Sequence, residues 1–136
     1  MKFFLVRHGE TEWNKLGRFQ GHHDISLNER GVSQAKETAK AAATWGHCAI
    51  YSSPLIRTMQ VAEELARVTP MLVFKEPRLK ELALGDLEGV TGHEMREEWP
   101  LVFARWRSNP EKMSMPNGES LTQLRERAWQ AVLDIE

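Results

Sequence analysis

Short apolar runs alternate with segments of helical period over residues 2–74, and this alternation constrains the fold more than any other feature. The runs at residues 2–6, 49–51 and 71–74 are rich in strand-forming side chains, and each predicts a short strand, the first of them buried. Apolar residues recur at helical spacing between them: Val32, Ala35, Ala39, Ala42 and Ala43, then Leu55, Met59, Ala62, Leu65 and Ala66. This order is typical of an α/β domain with a parallel sheet.

Local signals predict the ends of the helices. Ser52 and Ser53 before Pro54 predict a capping hydroxyl and then proline at the first position of the second helix. Two capping boxes are predicted later in the chain, Thr91 with Glu94 and Ser120 with Gln123. Pro100 predicts a kink or a division into two short helices. The last apolar stripe, residues 121–135, meets no stop signal, so we expect a single domain over residues 1–136 that is incomplete at its C-terminus.

Composition narrows the class of protein. The chain has 136 residues, of which 41% are apolar and 27% charged, as in one globular domain. A net charge of −1 argues against a nucleic-acid partner. The apolar runs are too short for a membrane span or a signal-peptide core, so we expect no membrane partner. Cys48 is the single cysteine; we expect it to be a small buried hydrophobe that opens the second strand, in a reducing cytoplasmic setting.

Charged side chains follow each predicted strand. Arg7 and His8 follow the first strand, Arg57 lies in the first turn of the helix after the second, and Glu81 follows the third. Ligands of open parallel sheets bind outside the carboxyl ends of the strands, so we expect these side chains to converge. The glycine-bearing loop over residues 7–30 is expected to hold a single helical turn, and loops of this length are usually functional.

These four residue types together suit phosphoryl transfer. Two guanidinium groups can hold a phosphate dianion through forked hydrogen bonds. A neutral imidazole can attack phosphorus and carry the phosphoryl group, and a carboxylic acid can protonate the leaving oxygen. Taken singly, Arg7 and His8 could be polar residues at a strand end, Arg57 a solvated helix residue, and Glu81 uninformative. Their joint placement favours a functional site.

Several blocks of the sequence resemble the histidine phosphatase superfamily, also called phosphoglycerate mutase-like. The blocks are Arg7–Asn14 (RHGETEWN), Gln20–Asp24 with Leu27–Gly31, Ser52–Thr58, Leu79–Gly89 and Asn117–Ser120. They span essentially the whole chain, and their order makes the resemblance specific. It implies a three-layer α/β sandwich around a parallel sheet, with the last strand or strands missing from this chain.

The resemblance also implies roles for matching residues. His8 would be the nucleophile and Glu81 the proton donor, and both arginines would act in catalysis by holding the phosphoryl group. The substrate-binding residues would be Arg7, Asn14, Gln20, Gly21 and Arg57. No metal or organic cofactor is implied, and the partner would be a small-molecule phosphate ester.

One element of the family pattern is absent. Members carry a second catalytic histidine on a later strand, and none of His22, His23, His47 and His93 lies in that context. Without a further strand, the edge of the strand at residues 3–6 would be open. We therefore expect a truncated chain, completed by a C-terminal segment or associated as a homo-oligomer, with weak or no activity as it stands.

The residues after Glu81 distinguish two reactions within the family. Mutases typically follow the catalytic glutamate with Arg-x-Tyr-Gly, whereas here residues 82–85 are Leu-Ala-Leu-Gly. The stretch Glu81–Gly89 resembles the phosphatase branch, including broad-specificity and α-ribazole phosphatases, so we expect phosphomonoester hydrolysis. A phosphoglycerate mutase remains an alternative, as does a non-catalytic phosphate-binding module, because the second histidine is absent. Residues 91–116 are expected to form a lid that sets specificity.

Two other groups have plainer interpretations. His22, His23 and Asp24 lack the spacing of a metal site. Trp99, Phe103 and Trp106 recur at helical spacing, which is more typical of core or lid packing than of a substrate platform.

Overall fold

The computed structural model describes residues 1–46 and 49–136, and the expectations for His47 and Cys48 lie outside these residues. The helices are α1 (Glu12–Lys15), α2 (Glu29–Ala42), α3 (Ile56–Val68), α4 (Gly92–Glu98), α5 (Pro100–Ser108) and α6 (Leu121–Ile135), and the strands are β1 (Ile50–Ser52) and β2 (Val73–Lys75). Within the described residues, no helix is long and apolar enough to cross a membrane. The chain divides into two compact units: residues 1–12, 24–79 and 136, and residues 13–23 and 80–135.

A parallel pair of strands forms the sheet of the first unit. Ile50 pairs with Val73, and Tyr51 pairs with Phe74. Helix α3 connects the two strands and packs against both, while α2 packs against α3. Ile50 and Ser52 are buried and Tyr51 is exposed, as the two-residue period of a strand requires. The strand–helix–strand part of the predicted parallel α/β pattern is therefore confirmed.

Helix α2 forms where the alanine spacing predicts it. The side chain of Asn28 accepts a hydrogen bond from the Gly31 N–H at 2.9 Å and caps the helix. Ala35 and Ala39 are buried. Ala35 lies in one apolar cluster with Leu27, which precedes α2, and with Val61, which belongs to α3. Because these side chains are small, a larger residue at Ala35 would overpack the cluster, which typically costs about 1–3 kcal/mol.

The prediction of a buried strand at residues 2–6 is wrong. The structure assigns no strand there, and Leu5 is 94% exposed. Phe4 stacks on Trp45, with ring centroids 5.1 Å apart. An apolar run becomes a strand only where a neighbouring strand supplies ladder hydrogen bonds, and the sheet of the described residues consists of β1 and β2 alone.

The predicted start of the second helix is also wrong. Helix α3 begins at Ile56 rather than Pro54, and its N-cap Leu55 has no side-chain cap. The Ile56 N–H donates instead to Oδ1 of Asp24 at 2.7 Å. The hydroxyl of Ser53 accepts a hydrogen bond from the Leu55 N–H, one residue before the helix. A distant carboxylate therefore satisfies the first helical donor, which local spacing could not indicate.

The second unit is helical around a core of methionine and aromatic side chains. Both predicted capping boxes form, at Thr91 with Glu94 and at Ser120 with Gln123. Pro100 opens α5 directly after α4, which confirms the predicted division into two helices. The buried core residues are Leu82, Leu87, Met95, Met113 and Met115, and Trp99, Phe103 and Trp106 pack against them. The packing role predicted for these aromatic residues is confirmed.

Candidate active site

The ring of His8 is oriented by the residue that follows it. His8 is partly buried, and its Nδ1 lies 2.6 Å from the carbonyl oxygen of Gly9. A carbonyl can only accept, so Nδ1 carries the hydrogen and donates it. In the neutral ring this tautomer leaves the lone pair on Nε2, which is the atom a nucleophilic imidazole uses.

Two glycines bring the His8 segment against the start of α2. A Cβ added to Gly9 would collide with the backbone of Gly31, and a Cβ added to Gly31 would collide with the carbonyl of Glu10. The backbone of Glu10 donates to the side chain of Gln34 at 2.8 Å and accepts from the Asn28 N–H at 3.0 Å. The residues after His8 are therefore held through their own backbone. Sequence reasoning missed this pairing, although glycines at both positions were a signal for it.

Arg57 lies in the first turn of α3, as predicted, and is almost fully buried. It is only 2% exposed, so the interpretation of a solvated helix residue is wrong. A guanidinium is rarely retained at this depth unless it is paired, and Arg57 does interact within the structure. The helix start beside it is ordered by Thr58, whose hydroxyl donates to the Ser53 carbonyl at 2.9 Å. Arg7, the other predicted phosphate-binding arginine, is exposed.

The second unit carries the remaining predicted residues. Gln20 and Gly21 are buried, and Asn14 lies exposed on α1, the single turn expected in the long loop. Gly21 has a positive φ of 53°, and a Cβ there would collide with the carboxylate of Glu88. Glu88 Oε1 accepts the His22 N–H at 2.8 Å. The loop therefore wraps the Glu88 carboxylate, which only glycine at position 21 permits.

Glu81 is exposed, on a segment without helix or strand structure. Its Oε1 accepts the N–H of Leu82 at 2.7 Å. Its carbonyl oxygen lies 2.8 Å from His22 Nε2 and accepts from Arg127 Nη2 at 2.8 Å. Sequence reasoning missed Arg127, and the signal that could have indicated it is Glu119 in the preceding family block, which is its ion-pair partner.

His22, His23 and Asp24 serve three separate contacts. His22 reaches the Glu81 carbonyl, as above. The His23 ring stacks on Trp13 with centroids 4.6 Å apart, and Asp24 binds the start of α3. No group of three or more potential metal-binding side chains occurs among the residues that the structure describes.

Comparison with known proteins identifies the family. Residues 3–136 match the Histidine phosphatase superfamily (branch 1), and the chain belongs to this family. It is 42% identical over 127 residues to Phosphoserine phosphatase 1 of Hydrogenobacter thermophilus, covering 93% of this chain and 60% of that protein. It is 36% identical over 139 residues to a probable phosphoglycerate mutase, GpmB, of an Enterobacter species, covering 98% of this chain and 62% of that protein.

Solved structures agree on the fold. A mycobacterial glucosyl-3-phosphoglycerate phosphatase in complex with VO3 is similar at a TM-score of 0.88 and 30% identity, over 94% of this chain and 61% of that one. YhfR of Bacillus stearothermophilus has a TM-score of 0.87 and 34% identity, over 95% and 64%. The predicted α/β, phosphoglycerate mutase-like fold is thereby confirmed. The chain spans 60–62% of the length of the curated relatives described above.

Proposed function

We propose that this protein hydrolyses small phosphate monoesters through a phosphohistidine at His8. The observation that carries the proposal is the donation of the His8 Nδ1 hydrogen to the Gly9 carbonyl, which puts the ring lone pair on Nε2. Membership of the histidine phosphatase superfamily supports it. The relatives named as phosphatases of phosphoserine and of glucosyl-3-phosphoglycerate support a monoester substrate.

The reaction takes two displacements at phosphorus. Nε2 of His8 attacks the phosphorus atom, the bond from phosphorus to the leaving oxygen breaks, and Glu81 gives that oxygen a proton. Water then attacks the phosphoryl group, the phosphorus–nitrogen bond breaks, and Glu81 takes the proton from the water. The products are an alcohol and inorganic phosphate, and both protein groups return to their starting forms.

The arginines hold the charge of the phosphoryl group. Arg57 is suited to this role because its guanidinium is buried, and electrostatic attraction is stronger away from water. Arg7 supplies the second guanidinium. Asn14, Gln20 and Gly21 complete the contacts to the substrate, and residues 91–116 act as the lid. The reaction needs no metal or organic cofactor, and a cytoplasmic location fits its single-cysteine composition.

Hydrolysis is favoured over the mutase reaction by the residue after Glu81. Leu82 is 4% exposed and packs in the core with Leu87 and Met95. A side chain in this position stabilises the unit and offers no charge to a second anionic group of a phosphoglycerate. The mutase reaction is the second candidate, supported by the name of the GpmB relative.

Trapping the intermediate tests the proposal. The protein is mixed with 4-nitrophenyl phosphate, quenched in base and analysed by peptide mass spectrometry for one phosphoryl group on His8. His8→Ala should abolish the label and lower turnover by at least about 10³-fold. Lys36→Ala, at an exposed position of α2 outside the proposed lid, is the control and should change neither.

The same experiment separates the alternatives. Labelling of His8 with faster exchange between phosphoglycerates than release of phosphate would indicate the mutase. Binding of inorganic phosphate without any label would indicate a non-catalytic phosphate-binding module. Turnover retained in His8→Ala would refute the nucleophile.

A further inference from the structure

One ion pair makes hydrogen bonds to the backbone on both sides of Glu81. Arg127 of α6 forms a bidentate ion pair with Glu119, in which Nε donates to Oε1 at 2.7 Å and Nη2 donates to Oε2 at 2.6 Å. The same guanidinium donates to the carbonyl oxygens of Lys80 at 2.7 Å and of Glu81 at 2.8 Å. Glu119 Oε2 accepts the N–H of Ala83 at 2.8 Å. We call this pair the Arg127–Glu119 clamp.

The segment that the clamp holds contains no helix or strand. Residues 80–84 belong to neither a helix nor a strand, so no ladder of backbone bonds fixes their dihedral angles. Side chains from outside make four hydrogen bonds to the backbone of residues 80–83: the three from the clamp to Lys80, Glu81 and Ala83, and one between His22 Nε2 and the Glu81 carbonyl. Further bonds, from the Leu84 N–H to Glu88 and from the N–H groups of Glu119 and Leu87 to the carbonyls of Ala83 and Leu84, hold the residues after Leu82. The side chains of Arg127 and Glu119 are 21% and 15% exposed, so the ion pair is partly buried.

The direction of the Glu81 carboxyl depends on this backbone. Glu81 Oε1 accepts the N–H of Leu82. Along the chain, this N–H lies between the Glu81 carbonyl, which accepts from Arg127, and the Ala83 N–H, which donates to Glu119. A rotation of the peptide between Glu81 and Leu82 would therefore swing the carboxyl away. Hydrogen bonds from Arg127 also lower the pKa of Glu119, which keeps the ion pair charged at neutral pH.

We propose that Arg127, acting with Glu119, is a positioning residue that aims the Glu81 carboxyl at the leaving oxygen. This inference rests on the proposed function, in which Glu81 is the proton donor. Arg127 acts through the backbone and does not contact the substrate. A lysine cannot replace Arg127, because a single ammonium group cannot donate to both oxygens of the Glu119 carboxylate and to two backbone carbonyls at once.

Leaving groups of different basicity provide the test. The full chain and its Arg127→Gln variant are compared in single turnover on glycerol 2-phosphate and on 2,4-dinitrophenyl phosphate. An alkoxide needs a proton to leave, whereas dinitrophenolate does not. Loss of an aimed acid should slow release from the alkyl ester by about 10²-fold or more and from the aryl ester by less than about 3-fold. Loss of structure alone would slow both substrates alike.

Control variants keep the test decisive. Arg125→Gln, at a neighbouring exposed position of α6, should behave as the unmodified protein. Arg127→Lys and Glu119→Gln repeat the comparison if Arg127→Gln does not fold, and both should slow the alkyl ester selectively. Glu81→Gln with Arg127→Gln should be no slower than Glu81→Gln alone, because both changes remove the same proton transfer.

The outcomes separate the two proposals. Equal slowing of both esters by Arg127→Gln, or a further slowing in the double variant, would overturn the positioning role. If Glu81→Gln is selective for the alkyl ester and the clamp variants are not, the positioning role alone fails. If Glu81→Gln shows no selectivity, Glu81 is not the proton donor and the proposed function fails with it.

Discussion

Asp24 accepts the backbone N–H of Ile56 at 2.7 Å, which joins a loop residue to the first residue of the helix that carries Arg57. The N-cap residue Leu55 offers no side-chain acceptor of its own. Asp24 therefore satisfies one of the unpaired donors of the first turn and places a negative charge at the positive end of the helix dipole. Arg57, the second residue of this helix, therefore follows a helix start that this carboxylate stabilises.

Replacing Asp24 with alanine should destabilise the protein. We expect Asp24→Ala to lower the free energy of unfolding by about 1 kcal/mol, the usual loss for a helix cap. Asp24→Asn keeps an oxygen acceptor and should lose less. Urea denaturation of the three proteins measures the differences, and equal midpoints for the alanine variant and the unmodified protein would contradict the capping role.

A methyl group at Gly31 should be destabilising although the residue lies in a helix. Glycine to alanine inside a helix normally stabilises by about 1 kcal/mol. Here the added Cβ would collide with the Glu10 carbonyl, which is backbone and cannot move aside alone. We expect Gly31→Ala to lose at least about 1–3 kcal/mol and to reduce phosphoryl labelling of His8, because Glu10 follows the His8–Gly9 pair.

Gly92 is the matched control for this substitution. It also lies in a helix, as the first residue of α4, and a Cβ there meets nothing within 4 Å. Gly92→Ala should be neutral or slightly stabilising in the same denaturation experiment. If both variants shift the midpoint equally, the close contact between Gly31 and Glu10 does not govern the result.

Features that depend on neighbours in sequence were predictable. In the capping box of α4, the Thr91 N–H donates to Glu94 at 2.8 Å and the Glu94 N–H donates to Thr91 at 3.1 Å. Three residues separate the partners, so the spacing alone fixes the bond. The division at Pro100 was predictable for a similar reason, because the fixed φ and missing N–H of proline prevent α4 from continuing through it.

Features that depend on distant partners were not predictable. Asp24 and Ile56 are 32 residues apart, and the Arg127 side chain reaches a carbonyl 46 residues away. The run at residues 2–6 has the composition of a strand, but pairing requires a neighbour that composition does not name. The candidate site residues could be proposed from a family resemblance, whereas the contacts that orient His8 and Glu81 required coordinates.

The ion pair between Glu76 and Arg78 should make stability depend on acid pH. Hydrogen bonds from the Arg78 guanidinium, and then from its backbone N–H, lower the pKa of Glu76 from 4.5 to about 2. The unfolded chain therefore binds a proton more readily than the folded one. The stabilising contribution is complete above pH 4.5 and is lost as the pH falls toward 2.

Removing either partner of this ion pair should make the free energy of unfolding depend less on pH in the acid range. The slope of the unfolding free energy against pH gives the number of protons taken up on unfolding. Between pH 4.5 and about 2, this number should fall by up to about one in Glu76→Gln, so the slope should become shallower. Arg78→Gln should have a similar effect, because Glu76 then regains its ordinary pKa. Urea denaturation at a series of pH values measures the slopes, and parallel curves for the variant and unmodified proteins would contradict the assignment.

Leu87 should be the most sensitive leucine of the second unit. It is 1% exposed and lies in one cluster with Met95, Met113 and Met115. Leu87→Ala leaves a cavity, which typically costs about 2–5 kcal/mol. The flexible methionine neighbours should relax into the cavity and limit the loss to about 2–3 kcal/mol. Leu101→Ala on α5 removes the same atoms from a side chain that is 77% exposed, and should change stability by less than about 0.5 kcal/mol. Both are measured by urea denaturation, and a similar loss in the two variants would mean that this cluster is not the core of the unit.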